Sequence, residues 1–424
     1  MKISTNKLNR YLLFAFAIIV AGFEHTFYLI NTDSIRIFGI TYIDLFIMQI
    51  LVFCVIVWYV YQKYPNPKFQ FKYLMLFVVV LSIISSIQSN KLFDQSISLG
   101  LRPQRYWIAC AILYFPISKL LYLKKIKIKQ LEDMIFVIGT IEIVLYIAQY
   151  FLFDHLSFLY VSHNYRYGDV RLYFSNVFLN LLLFLNLDRF FNNYKRIQSI
   201  TYIFLILYIV MVVGKMRMTS VAVISAIGLG ILLWKRGGKS KIVTLMLAVV
   251  GSLAFLNLII VQDIISSILE GDTNLTIRVL GREYLLDKIS LHPIFGWGYP
   301  HGDWAPSMVN MGGYGLNDNG IYGFLYIYGF FGVVWAVALF IKLLYMGNKI
   351  RIKERSYYYL LVPIYWIVAM QSELHWYWET GFIVMTILVS LLEQKYRELF
   401  NRNTDMNNIN DNHARPLENV KYSK

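Results

Sequence analysis

Apolar runs of about twenty residues alternate with short polar segments along nearly the whole chain, the spacing of helices that cross a hydrocarbon layer about 30 Å thick. Windows of that length predict helices near 11–30, 38–60, 71–88, 104–122, 131–153, 172–187, 199–214, 218–234, 242–262, 320–341, 357–372 and 376–392. Lipid admits only helices and closed barrels. Barrel strands would be about ten residues of strict alternation, whereas these runs are longer and apolar on every face. The predicted fold class is therefore all-α and polytopic, with about twelve transmembrane helices. The spans 172–187, 199–214, 357–372 and 376–392 are short for a crossing, and the last two also read as one hairpin or a re-entrant pair.

One transmembrane domain, 1–400, is expected, with an extracytoplasmic loop, 263–319, before the tenth helix. Within that loop, 275–291 (LTIRVLGREYLLDKISL) has apolar positions at helical spacing and predicts an amphipathic helix. The segment 401–424 is polar and Asn-rich, a cytoplasmic tail without a fold of its own. The basic start and long apolar run of residues 1–30 lack a small-residue cleavage site, which predicts a first helix rather than a signal peptide.

Composition agrees with this pattern: 58% of residues are hydrophobic and 15% charged, against roughly 25% charged in soluble domains. The net charge of +15 would point to nucleic acid in a soluble chain. Here the basic residues sit in loops, so no nucleic-acid partner is expected. With the N-terminus inside, 29 of the 40 basic residues fall in inside segments, the asymmetry that orients membrane proteins. Both termini are then cytoplasmic. Cys54 and Cys110 lie in apolar runs without ligand spacing.

The basic residues outside are the informative ones: Arg36, Lys91, Arg102, Arg105, Arg166, Arg171, Lys215, Arg217, Arg278, Arg282 and Lys288. Most are Arg, whose planar fork suits bidentate contact with phosphate. The set points to an anionic ligand such as a lipid diphosphate, although any single Arg also suits contact with lipid headgroups. Lys215 and Arg217 stand between two apolar runs with almost no loop. Charge at such depth is costly and points to function, unless the side chains snorkel to the interface.

Arg278 and Arg282, four apart, share a face if helical, and Glu283 follows. His292-Pro-Ile-Phe-Gly-Trp-Gly298 is turn-rich, with glycines that let backbone approach a ligand or pack closely. Asp318 and Asn319 precede the tenth predicted helix, either capping it or facing a substrate. Glu373, His375 and Glu379 form a further polar group among aromatics, equally readable as an interfacial belt around Trp376, Tyr377 and Trp378. No recognised metal-ligand pattern is present, and no cofactor is called for.

The ordered set of Arg278, the His292–Gly298 turn, Asp318-Asn319 and Gly329-Phe-Phe-Gly332 resembles the O-antigen polymerase and ligase superfamily. Its motif covers about fifty-five residues here; elsewhere the likeness is one of helical layout. The resemblance implies a metal-independent glycosyltransferase on the outer face of the bacterial cytoplasmic membrane. Its substrate would be an undecaprenyl-diphosphate-linked oligosaccharide, and its partners the lipid bilayer and other polysaccharide-assembly proteins. By the resemblance Arg217, Arg278 and Arg282 would stabilise the leaving diphosphate, and Asp318 or Glu283 would orient or deprotonate the acceptor hydroxyl. Lys215, Arg166, Arg171, Trp297, Asn319 and His375 would bind substrate, with Trp297 and Trp304 stacking on sugars. Asp318 stands where many members have His, which favours a polymerase over a ligase. A flippase or another multi-spanning transporter is the remaining alternative. It would call for related halves or repeated broken helices, which the sequence lacks.

Overall fold

A computed structural model describes residues 5–32, 35–37, 40–153, 155, 161–166, 169–234, 273–302, 316–371, 374, 376 and 379–400. The predicted span 242–262, Trp304, Glu373, His375 and the tail 401–424 lie outside the described residues.

The chain is mostly helical. In order it forms α1 (Thr5–Phe23), β1 (Arg36–Ile37), β2 (Ile40–Thr41), α2 (Tyr42–Tyr61), α3 (Lys72–Phe93), α4 (Ile97–Leu101), α5 (Arg105–Tyr122) and α6 (Ile128–Phe151). There follow β3 (Ser162–Arg166), β4 (Asp169–Tyr173), α7 (Val177–Phe191), α8 (Arg196–Tyr208), α9 (Arg217–Leu233), α10 (Thr273–Leu291), α11 (Ile321–Glu354), α12 (Tyr358–Ala369) and α13 (Glu379–Phe400). The two strand pairs are antiparallel hairpins.

Among the described residues five helices are long and apolar enough to cross a membrane: α2, α3, α6, α8 with its π-helical extension to Val213, and α11. That is fewer than the twelve spans predicted. Helix length accounts for part of the difference. At 1.5 Å per residue, α7 and α12 reach only about 22 and 18 Å, short of a hydrocarbon layer. Both are nearly all buried, so neighbouring protein rather than lipid surrounds their ends. The outer helices are the reverse. α2 carries exposed Val52, Val55, Trp58 and Tyr59 on its surface, the inside-out pattern that lipid solvation permits.

Two ends of the bundle can be told apart by their bonds. At one end Tyr61 donates to Asn9 (2.5 Å), Gln70 N to Glu393 (3.0 Å), Asn192 to the Arg355 carbonyl (3.1 Å), and Lys395 pairs with Glu354 (2.5 Å). These contacts gather the Lys-rich segments predicted to be inside. At the other end Tyr42 donates to the Gly22 carbonyl (3.0 Å), Gln95 to the Tyr299 carbonyl (2.8 Å) and Ser175 to Thr380 (3.2 Å). α12 and α13 each run from one end to the other. Tyr357, before α12, bonds Asp188 at the basic end, and Met370, after it, accepts from Ile321 at the opposite end. The segment 357–392 thus forms two helices that each connect the two ends of the described bundle.

The core between α5, α11 and α13 is aromatic. Trp107 stacks on Tyr328 (5.4 Å) and Phe382 (5.2 Å), and Trp376 meets Phe324, Trp335 and Phe340 within 6 Å.

Candidate functional site

The break between α8 and α9 lies at the end opposite the basic loops. The π-helical turn Ile209–Val213 finishes α8; such turns are rare and frequent at functional sites. Only Gly214, Lys215 and Met216 separate it from α9. Lys215 has φ 46° and is 3% exposed. A non-glycine residue in the left-handed region costs on the order of 1–3 kcal/mol and persists only where its surroundings hold it.

Here β4 and the start of α7 do so. Arg171 Nε donates to the Gly214 carbonyl (2.9 Å), Nη1 donates to the Tyr173 hydroxyl (3.2 Å), and the guanidinium lies 4.4 Å from the Tyr173 ring centre. Asn176 Nδ2 reaches Met216 Sδ at 2.7 Å, and Ser220 Oγ donates to the Met216 carbonyl (2.7 Å). Three residues singled out in the sequence, Arg171, Lys215 and Arg217, thus meet on one short stretch, with Arg217 the first residue of α9. Arg166 sits at the β3–β4 tip, opposite Asp169 and two pairs beyond Arg171. The side chains of Arg166 and Arg217 lie outside the described residues.

The second group stands on α10, the helix expected at 275–291 and found at Thr273–Leu291. Arg282 Nη2 donates to the Gln371 carbonyl (2.8 Å) past the end of α12, with its guanidinium 5.4 Å from the Tyr322 ring centre. Arg278 lies one turn earlier, and its side chain lies outside the described residues. Glu283 is exposed and turned roughly 100° around the helix from Arg282, so the two do not share a face. Leu316–Asn319 form a 3-10 turn leading into α11, with Asn319 buried. Gly320, at φ 51°, holds the N-cap position of α11. Gly320 thus stands at the N-cap position weighed for Asp318 and Asn319; Asp318's side chain lies outside the described residues.

α9 and α12 bring the two groups to one end. They pack together, and Gly230, late in α9, faces Leu361, early in α12. The helices are antiparallel, so Arg217 opens α9 at the same end at which Gln371 closes α12 and receives Arg282.

The glycine-rich turn has a packing role. Gly296 (φ 69°) and Gly329 (φ 61°) face each other, and a Cβ on either would stand 2.4–2.5 Å from backbone atoms. Trp297 N and Gly298 N donate to the Tyr326 and Ile327 carbonyls (2.7 and 3.1 Å), while Phe330 N and Phe331 N donate back to Pro293 and Ile294 (2.7 and 3.1 Å). The turn and the kink of α11 form one clamp, resting on the serine face of α3 through Gly298. Trp297 belongs to that packing rather than to a sugar platform. It stacks on Tyr326 (5.9 Å) and Phe93 (6.0 Å), meets His292 edge-on (4.7 Å), and donates its indole N–H to the Lys288 carbonyl (2.8 Å). Arg105, grouped in sequence with the external arginines, is committed to Asp44.

Sequence reasoning passed over several residues that shape this end. Gln95 is fully buried and fixes the segment after the clamp, donating to Tyr299 O (2.8 Å) and accepting from His301 N (3.1 Å). Glu24 and Glu142 are fully buried and close enough to repel one another's charge. Each is a carboxylate inside a predicted span, and that signal alone marks it. No protein-family model matches the chain, and no curated protein matches it in sequence.

Proposed function

We propose that the chain is a multi-pass glycosyltransferase of the bacterial cytoplasmic membrane. It acts as a polysaccharide polymerase, moving a polyprenyl-diphosphate-linked glycan onto a lipid-linked repeat unit at the outer face. In this reading the chain crosses the membrane about twelve times, with the short buried helices and residues 242–262 adding to the five long spans, and both termini are cytoplasmic. The supporting observation is the bonding of Arg171 to Gly214, beside the buried Lys215 and at the start of the helix that Arg217 opens.

The chemistry follows from those charges. The anomeric C–O bond to diphosphate breaks, and its electron pair leaves on the diphosphate oxygen. An acceptor sugar hydroxyl forms the new glycosidic bond and gives its proton to a carboxylate, with Asp318 in that role. Arg171, Lys215, Arg217 and Arg282 (Arg278 beside it) meet the charge that develops on the leaving group, the electrostatic term that is commonly the largest in such catalysis.

The test is the length of lipid-linked glycan in cells whose own gene is deleted. Arg217→Ala and Arg171→Lys are expected to leave single repeat units on the carrier, with chain extension down about 10²-fold or more. Asp318→Asn is expected to lower extension by about 10²–10⁴-fold. A normal ladder of chain lengths from Arg217→Ala, with the protein present at its usual level, would overturn the assignment. Loss of export with no change in chain length would point to a flippase.

A further inference from the structure

We propose that the basic end of the bundle holds a second ligand site, remote from the glycosyl-transfer end, that binds a phosphate-bearing anion. A cavity of about 730 Å³ opens there between the α5–α6 turn, the end of α7 and the end of α13, a volume within the usual range for small-molecule sites. The turn runs Lys124-Lys-Ile-Lys-Ile-Lys129. Lys125 is committed elsewhere, 5.4 Å from the Tyr64 ring centre. Lys124, Lys127 and Lys129 line the cavity and form no ion pair among the described residues. Arg189 joins them, its guanidinium carbon 3.7 Å from the Phe136 ring centre.

The cavity also has carboxylates, and their engagements decide its character. Asp188 is turned away to the α11–α12 turn, accepting from Tyr357 N and from Ser356 Oγ (3.3 Å). Glu398 accepts from Gln394 (2.9 Å), and the cation of Lys395 is taken by Glu354 (2.5 Å). Glu132 faces Arg189, Lys395 and Lys129. The lining therefore holds five cations, Lys124, Lys127, Lys129, Arg189 and Lys395, against three carboxylates, Glu132, Asp188 and Glu398. The wall also includes Ile128 and Lys129, the first residues of the 24-residue α6. Lys127 N is met by Gln130 Oε1 (2.8 Å) and Gln130 N by the Lys127 carbonyl (3.0 Å), and the positive end of the helix dipole still favours anions there. Cavity, cations and helix start all select a phosphate group, borne either by an anionic lipid of the facing leaflet or by a soluble diphosphate.

The full-length protein in nanodiscs separates the two sources. Its melting temperature is measured in phosphatidylcholine discs, in discs containing phosphatidylglycerol, and in phosphatidylcholine discs with sodium pyrophosphate, against sodium chloride at matched ionic strength. A rise with phosphatidylglycerol alone assigns a lipid headgroup, and a rise with pyrophosphate alone a soluble ligand. The triple variant Lys124→Gln, Lys127→Gln, Lys129→Gln is expected to melt normally in plain phosphatidylcholine and to bind the anion about tenfold or more weaker for each ammonium group removed from it, so that the rise in melting temperature disappears. The control Lys63→Gln, Lys68→Gln, Lys72→Gln removes equal charge elsewhere at the same end and is expected to keep the full response. The proposal is overturned if neither anion raises the melting temperature, if the triple variant responds like wild type, or if the control loses as much.

Discussion

Buried charge in this chain comes in two kinds that behave oppositely on mutation. Glu393 is 1% exposed and fully engaged: it accepts from Tyr114, Gln70 N and Arg397 Nη2 (2.6 Å), and Arg397 is itself buried. Removing its charge leaves a buried guanidinium uncompensated, a loss of about 3–5 kcal/mol. Glu142 is as deeply buried, but its carboxylate oxygens have no hydrogen-bond partner among the described residues, and its nearest charge is another carboxylate, Glu24. Glu142→Gln removes an unpaired ionisable group at nearly constant shape and is expected to change stability by less than about 1 kcal/mol or to raise it. Denaturation of both variants in detergent compares them directly. Equal destabilisation by Glu393→Gln and Glu142→Gln would show that Glu142 is held by a partner as Glu393 is. The sequence makes both carboxylates visible as charges in or beside apolar runs, but it shows only the local half of the pairing: Arg397 stands one helical turn from Glu393, whereas Tyr114 and Gln70 come from α5 and the α2–α3 segment, hundreds of residues away.

Elements were legible where one period dominates. Residues 275–291 read as a helix and fold as α10, although the apolar positions do not gather on one buried face: Leu285 is buried while Val279, Leu280, Leu286 and Leu291 are exposed. The β3–β4 hairpin was not legible. Its apolar residues Val170, Leu172 and Phe174 run into the span predicted at 172–187, so strand and helix merged into one hydropathy peak and α7 begins only at Val177. The clamp lay between these cases: its glycines announced a close approach, but not to what. That approach is to backbone. At Gly296 and Gly329 a side chain needs both a left-handed φ and space that carbonyl and amide atoms already occupy. Neither neighbour is a flexible side chain that can swing aside. Gly329→Ala and Gly296→Ala are therefore each expected to cost more than about 2 kcal/mol. The result should be little folded protein on size-exclusion chromatography of detergent extracts. Gly228, whose added Cβ meets nothing within 4 Å, is the matched control, and Gly228→Ala should fold normally. Monodisperse Gly329→Ala at wild-type yield would mean that the α11 kink tolerates another path.

At the scale of the whole molecule the distribution of charge becomes a prediction about sides. The sequence separates Lys-rich segments from a minority of external arginines by alternation alone, and the fold carries the described members of each class to opposite ends of the bundle. Lys127 and Lys195 mark one end; Arg171 and Arg282 mark the other. The bilayer adds what the fold lacks, a direction, because basic loops are retained on the cytoplasmic side. Single cysteines placed in a Cys54→Ser, Cys110→Ser background turn this into a measurement. Lys127→Cys is exposed at the basic end and Asn164→Cys at the hairpin end, and neither touches the aromatic core. In intact cells a membrane-impermeant maleimide is expected to label Asn164→Cys and to spare Lys127→Cys, which should react only after the membrane is opened. The opposite pattern would put the Arg171–Lys215–Arg217 stretch in the cytoplasm, where no acceptor glycan of an outer-face polymerase is found. Labelling of both sites from outside would break the alternation itself and remove the crossing by α6, which lies between Lys127 and the β3–β4 hairpin. Only the expected pattern leaves the two candidate sites facing different compartments, as the proposed outer-face polymerase requires.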